Sequence, residues 1–138
     1  MIQIKNRFDN AVIFEGDFDT ILAAVLAAIN KKTDLRSANL NSANLRSADL
    51  RSANLCSANL RSADLDFSDL HFSCKTLSAK FDQKHIIQIL YHAAMPAQKN
   101  KLKLDDDLQA LLNSEPFKKV VNKFHRIKEC EEFKGIKS

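Results

Sequence analysis

Leucine falls on every fifth position from Leu35 to Leu70, and a small residue stands two places before each one: Thr33, the six alanines from Ala38 to Ala63, then Ser68. Asp or Asn separates the two members of every pair. Residues 36–65 read RSANLNSANLRSADLRSANLCSANLRSADL. A period of five fits neither the 3.6-residue helix nor the two-residue strand. It predicts a solenoid, in which each unit buries its apolar face only by stacking on its neighbours. Leu and Ala are the apolar members of each unit and are the residues it is expected to bury. Asn and Asp bond to nearby backbone and tolerate turn geometry, which suits corners.

The period changes on either side. Ile2, Ile4, Val12 and Phe14 alternate around the polar stretch 5–10, which predicts a β-hairpin over 2–15. Asp19 or Thr20 caps a helix over 20–31, where Ile21, Leu22, Val25, Leu26 and Ile29 share a face. Beyond the repeat, a helix is expected over 82–95, stopping before Pro96. A second is expected over 105–113, opened by Asp105, Asp106 and Asp107. A third is expected over 116–128, with Phe117, Val120, Val121, Phe124 and Ile127 on its apolar face. Lys75 stands where the next central Leu belongs, so the regular column is expected to end near 72–75. Phe67 and Phe72 take slots that Ser holds earlier, and the segment after the column is expected to pack over them. The chain thus divides into a hairpin-helix cap (1–32), the repeat (33–75) and a helical region (76–138).

The tandem A(D/N)LxS pattern over 33–72, eight units long, resembles the pentapeptide-repeat family. That resemblance implies a mainly β solenoid with added α structure: a right-handed quadrilateral β-helix, one pentapeptide per side and four per coil, hence about two coils here. Neighbouring coils sit at the usual strand spacing of ~4.8 Å. The hairpin-then-helix leader over 2–35 resembles those of pentapeptide-repeat proteins carried by phages and prophages. Some members of the family imitate duplex nucleic acid and occupy the DNA groove of type II topoisomerases. Strict imitation needs a long acidic column, whereas residues 33–75 carry five Asp against five basic groups. Members often dimerise through a C-terminal element, and the helix at 116–128 is expected either to form such a homodimer or to cap the column within one chain.

Charge sharpens the choice of partner. The net charge is +4, and the excess lies in 76–138, with twelve basic and eight acidic residues. No apolar run approaches the ~18 residues that would span a membrane. The Ala-rich stretch 21–29 lies behind Asp9, Glu15, Asp17 and Asp19, too far in for a signal peptide, so a cytoplasmic protein is expected. Cys56, Cys74 and Cys130 follow no metal or disulfide spacing and read as free thiols.

Little in the sequence points to catalysis. Two glycines exclude a Gly-rich phosphate loop. Asp49 is expected to stack on Asp69, and Asn44 on Asp64, on a flat wall rather than in a cleft. Among His71, His85, His92 and His125, the seven-residue interval from His85 to His92 is too long for one ion, so neither metal nor cofactor is expected. The outward arginines Arg36, Arg46, Arg51 and Arg61 are candidate partner-binding residues, as is the basic face Lys118, Lys119, Lys123 and Arg126. In register, Arg61 falls on Asn41, Arg46 on Asp66 and Arg51 on His71, and such a face also serves as a solvated wall of weak ion pairs. The favoured reading is a non-enzymatic module that binds and inhibits a host protein, a nucleic-acid-acting or antiviral-defence enzyme. The alternative is nucleic-acid binding through the basic helix, with phosphate contacts from its lysines.

Overall fold

The computed structural model describes residues 1–70, 76 and 78–137. These form two compact units, Met1–Asp82 and Gln83–Ser138. The first unit opens with the expected hairpin, β1 (Ile2–Lys5) antiparallel to β2 (Val12–Gly16), with Ile4 opposite Phe14. Its connection turns on side-chain bonds: Asn6 accepts from the Phe8 N–H at 2.9 Å, and Asp9 from the Ala11 N–H at 3.0 Å. Helix α1 (Ile21–Asn30) follows, with Thr20 as its N-cap, its hydroxyl accepting from the Ala23 N–H at 3.1 Å. Ala24, Val25 and Ala28 of α1 are buried in the same core as the repeat leucines.

The repeat does what its period demands. Leu35, Leu40, Leu45, Leu50, Leu55 and Leu60 are at most 1 % exposed, and the alanines two places before are buried with them. Each repeat closes a tight turn, as in the bond from the Ala48 N–H to the Leu45 carbonyl at 3.1 Å. The corner Asx residue then accepts from the N–H two places on: Asp34 from Arg36, Asn44 from Arg46, Asp49 from Arg51, all within 3.1 Å. The serine at the third turn position takes a left-handed backbone, with φ between 57° and 59° at Ser37, Ser42, Ser47, Ser57 and Ser62. That value marks a type II turn, and Ser52, which lacks it, departs from the rule.

The chain returns beside itself every twenty residues. Parallel bridges join Asn39 to Asn59, Asn44 to Asp64, and Asp49 to Asp69, and each rests on a reciprocal pair of backbone bonds of 2.8–2.9 Å. The stacking of Asp49 on Asp69 and of Asn44 on Asp64 therefore agrees with the sequence reading. These contacts are isolated bridges. Among the described residues the strands proper are β1 and β2, and four α-helices accompany them, so strand content is lower than a mainly β class suggests. The reason is geometric: a side of five residues, interrupted by a turn at each end, leaves one bridging residue per side. The hairpin covers one side of the first level, since the Arg7 N–H donates to the Ser37 carbonyl and the Asn39 N–H to the Lys5 carbonyl.

Lys80, beyond the end expected for the regular column near 72–75, also pairs with the column. Asn59 bridges Lys80, a step of one residue more than the regular return. Ala79 and Phe81 then take the slots of the small residue and the central Leu, and both pack on the core. His71, Phe72, Cys74 and Lys75, on which several expectations fell, lie outside the described residues.

The second unit holds α2 (Gln83–Lys99), α3 (Asp106–Asn113), α4 (Glu115–Val121) and a 3-10 turn (Ile127–Glu129). Two expected helix ends move. Helix α2 runs through Pro96 rather than stopping before it. The proline has no N–H for the preceding turn, but Ala94, Met95 and Ala97 around it are buried, and the Asn100 N–H bonds back to the Pro96 carbonyl at 2.9 Å. The helix expected over 116–128 ends at Val121. Asn122 caps it and turns its side chain to the segment at 131–137 instead. Asp105 and Ser114 cap α3 and α4, accepting from the Leu108 and Phe117 N–H groups. The core of this unit joins Ile87, Tyr91, Leu112, Val121, Phe124, Phe133 and Ile136. No helix among the described residues is long and apolar enough to cross a membrane.

Candidate interaction surface

The twenty-residue return decides where the arginines stand. Position 36 stacks with 56, 41 with 61, and 46 with 66, through bonds from the Ser37, Ser42 and Ser47 N–H groups to the carbonyls of Cys56, Arg61 and Asp66. Arg36, Arg46, Arg51 and Arg61 thus occupy four different turns around the column and do not gather into one wall. Arg36 pairs with Asp34 at 3.4 Å, and Arg51 with Asp49. Among the described residues Arg61 has no ion-pair partner, and its backbone N–H bonds Asn59 at 3.2 Å.

Arg51 grips Asp49 with two nitrogens, Nε to Oδ1 at 2.9 Å and Nη2 to Oδ2 at 2.7 Å. These side-chain bonds, followed by the Arg51 backbone N–H, hold the Asp49 carboxyl at about 2. The guanidinium is correspondingly harder to deprotonate. Both side chains are more than half exposed, so the pair is a local clasp rather than a stabilising core.

Arg46 is placed differently. Its Nη1 lies 3.1 Å from Asp66, a carboxylate 10 % exposed, and 3.8 Å from Asp64, as the stacking of 46 on 66 implies. Its guanidinium also lies over the ring of Phe67, 4.6 Å from the centroid. Phe67 occupies the serine slot of its repeat, with φ 59° and 60 % of its surface exposed. A bulky side chain in the left-handed region is strained. The same turn closes through the Ser68 N–H and hydroxyl, both donating to the Leu65 carbonyl. The column therefore carries a fixed aromatic beside a fixed cation.

In the second unit the basic residues do not form one helix face. Lys118 is paired with Glu115 and Arg126 with Glu129. Lys119 is exposed on α4, while Lys123 and Arg126 lie in the turns after it. Among the described residues no cluster of His, Cys, Asp and Glu could hold a metal ion, and Cys56 and Cys130 are free thiols. A shallow cavity of about 290 Å³ opens between Thr33–Asp34 and Ser52–Asn54 beside Ile29 and Lys32. It lies on the side of the column where no backbone bridge joins 34 to 54, next to the one serine turn without a left-handed φ.

No curated protein and no solved structure matches the chain. Residues 38–74 match the family model of pentapeptide repeats in eight copies. Over that stretch the chain carries pentapeptide repeats, a pattern that implies a β-helix type of fold.

Proposed function

We propose that this chain is a non-enzymatic protein-interaction module that docks on a partner protein through its column. Proteins with pentapeptide repeats are often interaction modules, which supports the class. The observation that carries the reading is Phe67: an exposed aromatic, held in a strained backbone state and stacked under Arg46, on a column whose repeat leucines from Leu35 to Leu65 are buried. Aromatic residues and Arg are enriched in the buried centres of protein interfaces. A rigid platform keeps the ordering cost of docking small. In this reading the column has the right-handed, four-sided form of its family. The protein works in the cytoplasm as a phage-borne inhibitor of a host enzyme, one that acts on nucleic acid or in antiviral defence. Nucleic-acid binding is supported less, because Glu115 and Glu129 already engage Lys118 and Arg126.

The test is affinity capture from host lysate on the immobilised full chain, with and without nuclease, beside Phe67→Ala. A partner retained after nuclease and lost with Phe67→Ala is expected. Capture that disappears with nuclease, or is indifferent to Phe67, overturns the reading.

A further inference from the structure

The segment 131–137 belongs to no helix and no sheet. Three carboxamide side chains hold its backbone instead. Asn122 accepts from the Phe133 N–H at 2.8 Å and donates to the Phe133 carbonyl at 3.0 Å. Asn113 does the same for Ile136, at 2.6 and 3.0 Å. Gln98 accepts from the Lys134 N–H at 2.6 Å and reaches the Glu132 carbonyl at 3.4 Å. The Tyr91 hydroxyl donates to the Glu131 carbonyl. Each amide thus reproduces the reciprocal pair that a neighbouring strand would supply, and such bonds read backbone rather than sequence.

Sequence selectivity comes from three positions. Phe133 is 1 % exposed and Ile136 6 %, and both are buried in the core of the unit. The Phe133 ring meets Phe117 edge-on, with centroids 5.8 Å apart. Residues three apart on a plain strand point to opposite faces. Here both point inward because Gly135, at φ 96°, turns the chain between them. A Cβ at Gly135 would stand 2.5 Å from the Asn113 Oδ1. The groove therefore selects aromatic, any residue, glycine, aliphatic. Lys134 and Lys137, between and after the anchors, are exposed.

We propose that the second unit is a receptor for peptides of this pattern, that 131–137 is its resident occupant, and that a partner protein's segment of the same chemistry can replace it. This site is separate from Phe67 and does not rest on the docking reading above. A short tether presents the resident segment at an effective concentration of roughly millimolar, so a partner segment must bind well to displace it. Its own sequence added in trans is then a weak competitor until the resident anchors are removed.

The test uses the full chain and a fluorescein-labelled peptide with the sequence of residues 131–137. The double variant Phe133→Ala/Ile136→Ala, shown folded by circular dichroism, should bind the peptide at least tenfold more tightly than the unmodified chain. A peptide carrying Gly135→Val should bind at least tenfold more weakly, and Phe67→Ala should change neither result. If the double variant does not fold, the unmodified chain is titrated with millimolar peptide while the side-chain amide signals of Asn113 and Asn122 are followed by NMR. Movement of those signals supports exchange. A folded double variant that ignores the peptide, indifference to Gly135→Val, or unmoved amide signals overturns the proposal. A stable dimer of the unmodified chain that the double variant loses also overturns it, by giving the groove to a second copy.

Discussion

Asp49 and Arg51 sit two residues apart on one corner, and their geometry is dictated by the repeat. The Asx turn already brings the carboxylate to the Arg51 N–H, and the arginine side chain folds back to complete a fork. The carboxyl is held at about 2, below the ordinary carboxylate value, first by the guanidinium bonds and then by the backbone N–H. A depressed folded pKa contributes stability above the unfolded value, and the contribution is lost as pH falls from about 4 toward 2. Carbon-detected NMR titration should place the Asp49 midpoint near 2. Arg51→Gln should move it up toward the ordinary carboxylate value, and a midpoint that stays put would mean the backbone bond alone sets it. Arg46 uses the same position in its own repeat for another purpose. Because Asp66 stacks on it and Phe67 follows, its guanidinium spans to the next level of the column instead of folding back.

Elements differ in how openly the sequence announces them. Most of the repeat was legible, because burial, turn and stacking recur with one period; the Ser52 turn, the missing bridge from 34 to 54 and the exposure of Phe67, over which packing was expected, were not. The hairpin and α1 were legible too, from alternation and from Thr20 as a cap. The second unit was legible in its helix starts, which Asp105 and Ser114 mark, and misleading in its ends. The apolar spacing of Phe117, Val121 and Phe124 continues past Asn122, yet the helix stops there, since the Asn122 carboxamide bonds a segment eleven residues away. No local pattern encodes that bond. The readable trace was Gly135, one of two glycines in the chain. Replacing Asn122 by Ala strips the Phe133 N–H and carbonyl of their partners. It should cost the second unit about 1–3 kcal/mol, the range for stranded buried polar groups. Urea unfolding followed through the Tyr91 ring, which stacks on Phe124, measures it, and a loss below ~0.5 kcal/mol would show that the two anchors hold the segment without the amide.

At the scale of the whole chain, two separate sets of buried residues carry the fold: one runs from Ile4 through the leucines to Leu65, the other from Ile87 to Ile136. Separate cores imply separate cooperative units, each opening with its own free energy. The first is quasi-one-dimensional, so every level depends on the ones beside it. Leu50 is wholly buried in the middle of that stack, and Leu50→Ala should cost about 2–5 kcal/mol. Native-state hydrogen exchange separates the two cores. The amides of Leu45, Asp64 and Asp69, which bond between levels, should lose protection together in Leu50→Ala. Those within α2 should keep theirs. Equal loss in both sets would mean that the two cores open as one. Loss confined to the immediate neighbours of Leu50 would mean that the levels open singly. The expected pattern, a whole column failing while the second unit persists, would also explain how the groove around 131–137 could exchange its occupant without disturbing the Phe67 platform.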